Sequence, residues 1–181
     1  MTTQNTTRLL DTITAQNPLA SYLQTALGFA DEIAVRLGMI RGKKSDPSTL
    51  RGLKRALKFL YRMVKDHGYT DESQILNGEF LQRCLSELKS RYPASAHSTM
   101  IRYVDFWFRA LFPDRYPLVS DDVLHRAMIE SDSVDEAIDS LAAIDPLFVH
   151  RNRYQIRQSY CVMKQVLTRP RTPRRDSTPL R

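Results

Sequence analysis

Glycine is scarce in this chain of 181 residues, with only 6, and few segments alternate strictly between apolar and polar residues. Sheet-rich folds need that alternation and favour glycine at their tight turns, so both shortages argue against them. Apolar residues recur instead at helical spacing, and a hydrophobic content of 42% is enough for a packed core. We therefore predict an all-α fold.

Long apolar runs and closely spaced cysteines are also missing. No run of 18 apolar residues occurs, as a membrane-spanning helix would need, and no basic segment followed by an apolar one opens the chain. The two cysteines, Cys84 and Cys161, form no CxxC motif and have no histidine at zinc-ligand spacing. We interpret both as small buried side chains in a reducing compartment. The expectation is a soluble, cytoplasmic protein without a membrane partner, associated with the nucleoid if it binds DNA.

Motifs of common enzyme classes are absent as well. The sequence has no glycine-rich phosphate loop, no HExxH and no GxSxG. Two acid pairs, Asp121-Asp122 and Asp135-Glu136, lie where helices are expected to begin, and the helix dipole explains acids at such positions without catalysis. Four histidines are scattered along the chain: His67, His97, His125 and His150. We predict no enzyme activity, no catalytic residue, no metal ion and no cofactor.

Charge, by contrast, is abundant and unevenly distributed. The net charge is +7 and the pI about 9.6. Residues 41–67 hold nine Lys and Arg against two acids, and residues 147–181 hold nine against one. Residues 119–146 hold one against eight. Basic regions favour acidic partners such as nucleic acid, and the acidic segment could contact a protein partner or a basic face of a second copy.

The most informative segment is residues 45–68, SDPSTLRGLKRALKFLYRMVKDHG. Asp46 suits the N-cap, Pro47 the first helical position and Gly68 the C-terminal stop, which predicts a helix over 47–67. Apolar residues occupy one face of this helix. Every Lys and Arg between positions 50 and 66 falls in a separate sector about 100° wide: Arg51, Lys54, Arg55, Lys58, Arg62 and Lys65.

No acid interrupts this basic sector, whereas a solvated helix face usually interleaves acids that relieve like-charge repulsion. We interpret the sector as a surface for the phosphate backbone of nucleic acid, where Lys and Arg displace counterions. A plain solvated face is the alternative. Further candidate contacts lie in the linker RGKKSD and in the tail TRPRTPRRDSTPLR, whose composition predicts disorder: Lys43, Lys44, Arg169, Arg171, Arg174 and Arg175.

Further helices are predicted on both sides of the basic helix. Their approximate bounds are 18–38, 77–92, 96–112, 123–131, 134–143 and 146–167. The 96–112 helix is apolar around most of its circumference and should be the buried centre around Trp107, with Ser95 or Ser98 as its cap. Its polar residues Arg102, Asp105 and Arg109 lie on one narrow strip. The predicted organisation is a flexible segment 1–17, a helical core bundle 18–117, C-terminal helices 118–167 and a disordered basic tail 168–181.

Three segments of the core bundle resemble the N-terminal core-binding domain of tyrosine recombinases and phage integrases. The basic helix resembles that family's T-x-x-x-Y-x-x-x-L-x-x-F-x-x-W helix. It is followed by YTDESQILNGEFLQRCLSEL and then by SAHSTMIRYVDFWFRALF, which resembles the family's S-x-x-T-x-x-x-x-L-x-x-x-R-x-F-F helix. The resemblance covers residues 18–112, about half of the chain. It implies a SAM-like bundle that clamps DNA in preference to RNA, followed here by a short acidic helical pair and a C-terminal basic helix.

The catalytic domain of that family is not matched. Of its required residues, only an HxxR element is present, His150 to Arg153, and we interpret that match as chance. The resemblance thus implies the DNA-clamping half without the cleaving half. The predicted function is a non-catalytic DNA-binding protein, an accessory or regulatory factor. The alternative is a helical adaptor that docks an acidic protein partner on its basic face.

Overall fold

The computed structural model describes residues 17–38 and 47–168, and within these two ranges the chain is helical, without a β-strand. The all-α prediction is confirmed. Eight α-helices are present in the described ranges, and a 3-10 turn, Glu72–Gln74, precedes the fourth. The helices are α1 Pro18–Gly28, α2 Ala30–Arg36, α3 Pro47–Asp66, α4 Gly78–Arg91, α5 Ala94–Leu111, α6 Asp121–Glu130, α7 Val134–Ile144 and α8 Pro146–Thr168.

The first predicted helix is in fact two helices, so the expectation of one helix over residues 18–38 is wrong. The chain breaks at Phe29, whose backbone (φ −102°, ψ 14°) departs from helical geometry directly after Gly28. After the break the chain continues as the separate helix α2, whose small residues Ala30 and Ala34 are completely buried. Phe29 itself stays 54% exposed. The apolar pattern continues without interruption from Leu19 to Leu37 and so gave no sign of this bend.

Helix α3 follows its predicted course. It begins at Pro47 and ends at Asp66, and Gly68 adopts the positive φ of 69° that a left-handed C-terminal stop requires. Its apolar face is buried almost completely, with Leu53, Leu57 and Val64 each at 0% exposure. The predicted cap Asp46 lies outside the described residues. Because one face of α3 is fixed in the core, its opposite face is held toward solvent.

The buried apolar residues form two clusters, and the first of them consists of residues between Leu19 and Tyr116 together with Leu147. Helix α5 is the centre of this first hydrophobic cluster, as predicted. Trp107 is 0% exposed, and its Nε1 donates to the backbone oxygen of Leu53 on α3 at 2.8 Å. The expected serine cap, Ser95 or Ser98, is wrong. The helix begins directly after Pro93, which has no side-chain hydrogen bond to offer and instead fixes the backbone at the helix start.

The last three helices enclose a second hydrophobic cluster around Met128, Leu141 and Ile156. The hydroxyls of Ser120 and Ser133 accept hydrogen bonds at the starts of α6 and α7, and acids occupy both first turns as predicted. Helix α8 also contacts α4 and α5, and its residue Leu147 belongs to the first cluster. The segments 18–117 and 118–167 therefore pack against each other.

Cys84 is buried as expected, but the expectation for Cys161 is wrong, because its side chain is exposed. On α8 the neighbouring Tyr160 faces the second cluster, and Cys161 lies about 100° around the helix from it. No helix within the described residues is long and apolar enough to cross a membrane. The predicted boundaries of the two outer segments, 1–17 and 168–181, are each wrong by one residue, since Asn17 is the N-cap of α1 and Thr168 is the last residue of α8. The rest of both segments, residues 1–16 and 169–181, lies outside the described ranges.

Candidate functional site

The outward side of α3 carries the six cations singled out from the sequence, and we call it the basic face of α3. Five of them are exposed and the sixth, Lys54, is partly buried. From Arg51 to Lys65 the row extends about 21 Å at the helical rise. The complete set is Arg51, Lys54, Arg55, Lys58, Arg62 and Lys65.

Lys54 is the one member of this face with an acidic partner among the described residues. Its Nζ lies 2.8 Å from the Oδ1 of Asp31 on α2, and both side chains are about half exposed, at 41% and 54%. A surface pair of this kind contributes little to stability, but it neutralises the cation. Along α3 itself no acid interrupts the basic sector, as expected. In the folded chain, however, Asp31 of the neighbouring helix α2 opposes it at Lys54.

The other five cations of the basic face form no salt bridge within 4.0 Å to any acid in the described part of the chain. Lys65 is partly engaged in another way, since its Nζ lies 5.8 Å from the ring centroid of Tyr61. That contact leaves its charge in place. The face thus keeps uncompensated positive charge in a fixed geometry.

A groove of about 410 Å³ runs beside the middle of this face. Arg55, Lys58 and Arg62 line one side, and Arg91 and Tyr92 from the end of α4 line the other. The Cζ of Arg91 lies 6.0 Å from the ring centroid of Phe59, and its Nε donates to Glu87 at 2.8 Å. The groove therefore places the guanidinium of Arg91, which is paired with Glu87, and the partly exposed ring of Tyr92 beside cations of α3 that pair with no acid in the described ranges.

Sequence analysis missed Arg91 and Tyr92 as members of this surface. The two residues mark a helix end in the sequence, and nothing local shows that this end lies next to α3. The remaining predicted contacts, in the linker before α3 and in the tail, lie outside the described residues: Lys43, Lys44, Arg169, Arg171, Arg174 and Arg175.

A second polar cluster is buried between α5 and α8, and Asp105 is its centre. This carboxylate is 1% exposed. Its Oδ2 accepts from Arg151 Nη1 at 2.6 Å and from Arg109 Nε at 3.2 Å, while its Oδ1 accepts from the Tyr116 hydroxyl at 2.9 Å. The predicted strip of polar residues on α5 exists, but its partner Arg151, 46 residues away, had no sequence signal.

Asp145 lies behind this cluster at the start of α8 and is 0% exposed. Its carboxylate accepts from the backbone N–H groups of Phe148 at 2.9 Å and Leu118 at 3.2 Å. Burial raises the pKa of Asp145, and these two hydrogen bonds oppose the shift. Burial also raises the pKa of Tyr116, which keeps its hydroxyl a donor to Asp105. The network ties the two hydrophobic clusters together.

Within the described ranges, no group of three or more His, Cys, Asp or Glu side chains could hold a metal ion. Comparisons with protein-family models, curated proteins and solved structures found no match to this chain. The resemblance to the core-binding domain of tyrosine recombinases thus stays a prediction based on helical spacing. Within the described surface, the basic face of α3 is the feature that most clearly indicates what kind of ligand would bind.

Proposed function

We propose that this chain is a DNA-binding protein, an accessory or regulatory factor that contacts the phosphate backbone through the basic face of α3. The observation that carries the proposal is the row of five exposed cations without an acidic partner among the described residues. Buried apolar side chains on the other side of the helix hold this row outward. We further propose that the protein itself cleaves no DNA.

A row of like charges on one helix is unfavourable by itself, since each pair at i,i+4 destabilises the helix by a few tenths of a kcal/mol. A polyanion removes that repulsion, and release of its condensed counterions supplies favourable free energy. Arg51, Arg55 and Arg62 add planar guanidinium groups that can bind a phosphate through two hydrogen bonds. The row therefore suits a polyanion with condensed counterions better than an isolated anion.

The rigidity of α3 favours a duplex as the partner. Its 20 residues extend about 30 Å, so the cations keep fixed spacings. Duplex phosphates are also held in a regular array, whereas a single strand would lose conformational entropy on adopting a matching shape. Arg91 and Tyr92 widen the surface beside the row. Contacts of this kind position a protein on DNA without selecting a sequence.

The test is a double charge reversal, Arg55→Glu with Arg62→Glu, assayed by fluorescence anisotropy with labelled duplex DNA, single-stranded DNA and RNA. The matched control is Arg126→Glu with Arg153→Glu, an equal change in net charge at exposed positions on α6 and α8. We expect the first variant to lose most duplex affinity and the control to lose little. Circular dichroism should show that both variants remain helical.

Equal losses for the two variants would assign binding to net charge rather than to α3. If the folded parent binds neither DNA nor RNA, the proposal is wrong and the adaptor alternative replaces it. The acidic segment 119–146 is engaged within the chain in part, through the side chains of Asp135, Glu136 and Asp145. Glu136 accepts from the backbone N–H of Asp132 at 2.8 Å, and Asp135 pairs with Arg157 at 3.1 Å.

A further inference from the structure

A pocket of about 400 Å³ opens where the end of α2 meets α5 and α8. None of its lining residues lies on α3. Its volume falls within the range of about 300–1,000 Å³ typical of small-molecule sites. Three apolar residues and four charged residues line it: Leu37, Phe106, Ala110, Arg102, Asp105, Arg109 and Arg151.

Two of the three arginines are held in place by the buried Asp105. This carboxylate engages only the Nε of Arg109 and one terminal nitrogen of Arg151. The remaining guanidinium nitrogens of both side chains donate to no other described residue. The Cζ of Arg109 also lies 5.5 Å from the ring centroid of Tyr116, which restricts its position. Both groups are therefore oriented before any ligand arrives, and each keeps unused donors.

Arg102 supplies the third cation at the mouth of the pocket. It is exposed and forms no salt bridge to an acid within the described residues. Three cations thus share the pocket with one carboxylate, which leaves an excess of positive charge beside apolar walls. Arginine groups bind carboxylates and phosphates through paired hydrogen bonds, and Phe106 with Leu37 offers contact for a nonpolar group.

We propose that this pocket binds a small organic anion, in which a carboxylate or phosphate is joined to an apolar or aromatic group. Arg102, Arg109 and Arg151 bind the anionic group, and Asp105 positions two of these arginines. The apolar walls contact the remainder of the ligand. This binding site shares no residue with the proposed DNA surface, because none of its lining residues lies on α3 or in the groove beside it.

The test uses benzoate and phenyl phosphate as probes and the neutral benzamide as the matched compound. Titrations by isothermal calorimetry and by two-dimensional NMR of the full chain should show saturable binding of at least one anion, in about the millimolar range for compounds of this size. Benzamide should bind about tenfold more weakly. The affected amide signals should include those of Phe106 and Ala110. Binding of one anion alone supports the proposal and identifies the preferred anionic group.

The variant Arg102→Gln should weaken anion binding about five- to tenfold and leave the fold intact, since this side chain is exposed. Arg126→Gln, an exposed arginine on α6 outside the pocket, is the matched control and should change nothing. The proposal is overturned if neither anion shows saturable binding or if benzamide binds as tightly as both anions. It is also overturned if Arg102→Gln and Arg126→Gln bind the anion with equal affinity.

Discussion

The ion pair between Asp105 and Arg151 should be one of the stronger charged interactions in the molecule, because one partner is almost completely buried. The side chain of Asp105 is 2% exposed and that of Arg151 is 50% exposed, with 2.6 Å between Oδ2 and Nη1. Exposed pairs contribute about 0.2–1 kcal/mol, whereas removing one partner of a buried pair costs about 3–5 kcal/mol. Because Arg151 is half exposed, we expect the coupling free energy between the two side chains to lie between these limits, at about 1–2 kcal/mol.

A double-mutant cycle measures this coupling directly. Asp105→Asn, Arg151→Gln and the double variant would be compared with the parent by urea denaturation, followed through the fluorescence of Trp107, the one tryptophan of the chain. Asp105→Asn alone should destabilise by about 2–4 kcal/mol, because Arg109 also loses a charged acceptor.

A second cycle on the same helix provides the control. Arg157 is also 50% exposed, but its partner Asp135 is 71% exposed and their atoms lie 3.1 Å apart. The cycle of Asp135→Asn with Arg157→Gln should give a coupling below about 0.5 kcal/mol. The two cycles share the helix and the exposure of the arginine, so they differ mainly in the burial of the acid. Equal couplings would refute the conclusion that burial of Asp105 strengthens its interaction.

Three further predictions concern the core and its titration. Trp107→Ala should destabilise by about 3–5 kcal/mol, and a red, solvent-type emission maximum of the parent would contradict its burial. Gly78→Ala should lower the melting temperature, because a Cβ there would collide with the backbone oxygen of Ala143. A Cβ at Gly28 would meet nothing within 4 Å, so Gly28→Ala should raise the melting temperature and add up to about 1 kcal/mol to the free energy of unfolding. Similar shifts of the melting temperature in both variants would disprove the close packing of α4 on α7. Burial raises the pKa of Asp145, so the folded state disfavours its charge. As the pH rises from below the ordinary aspartate pKa through this raised pKa, the parent should lose stability relative to Asp145→Asn. Urea titrations at several pH values measure this difference in stability. A difference that does not change with pH would contradict the raised pKa of Asp145.

Local patterns predicted most of the secondary structure and the candidate surface. Helix α3 was predictable because its periodicity and the stop at Gly68 lie within one segment of the chain. Its outward cations follow from the same pattern, since a buried apolar face dictates where the opposite face points. The buried position of Trp107 likewise follows from the apolar surroundings of α5.

Contacts between distant segments were not predictable. The pairing of Lys54 with Asp31 joins residues 23 positions apart, and that of Asp105 with Arg151 joins residues 46 apart. Neither has a local signal, because complementary charges are common and only the packed fold selects which of them meet. The bend at Phe29 was also missed, because the apolar spacing continues through it.

The most direct test of the proposed DNA-binding surface is the salt dependence of duplex affinity in single-charge variants. Each cation that contacts a phosphate contributes about −0.9 to the slope of log affinity against log salt. Arg62→Gln should therefore make the slope shallower by about one. Lys54→Gln should leave the slope nearly unchanged, because Asp31 already neutralises that cation. A parent that binds no duplex DNA, or equal slopes for the parent and Arg62→Gln, would contradict the account.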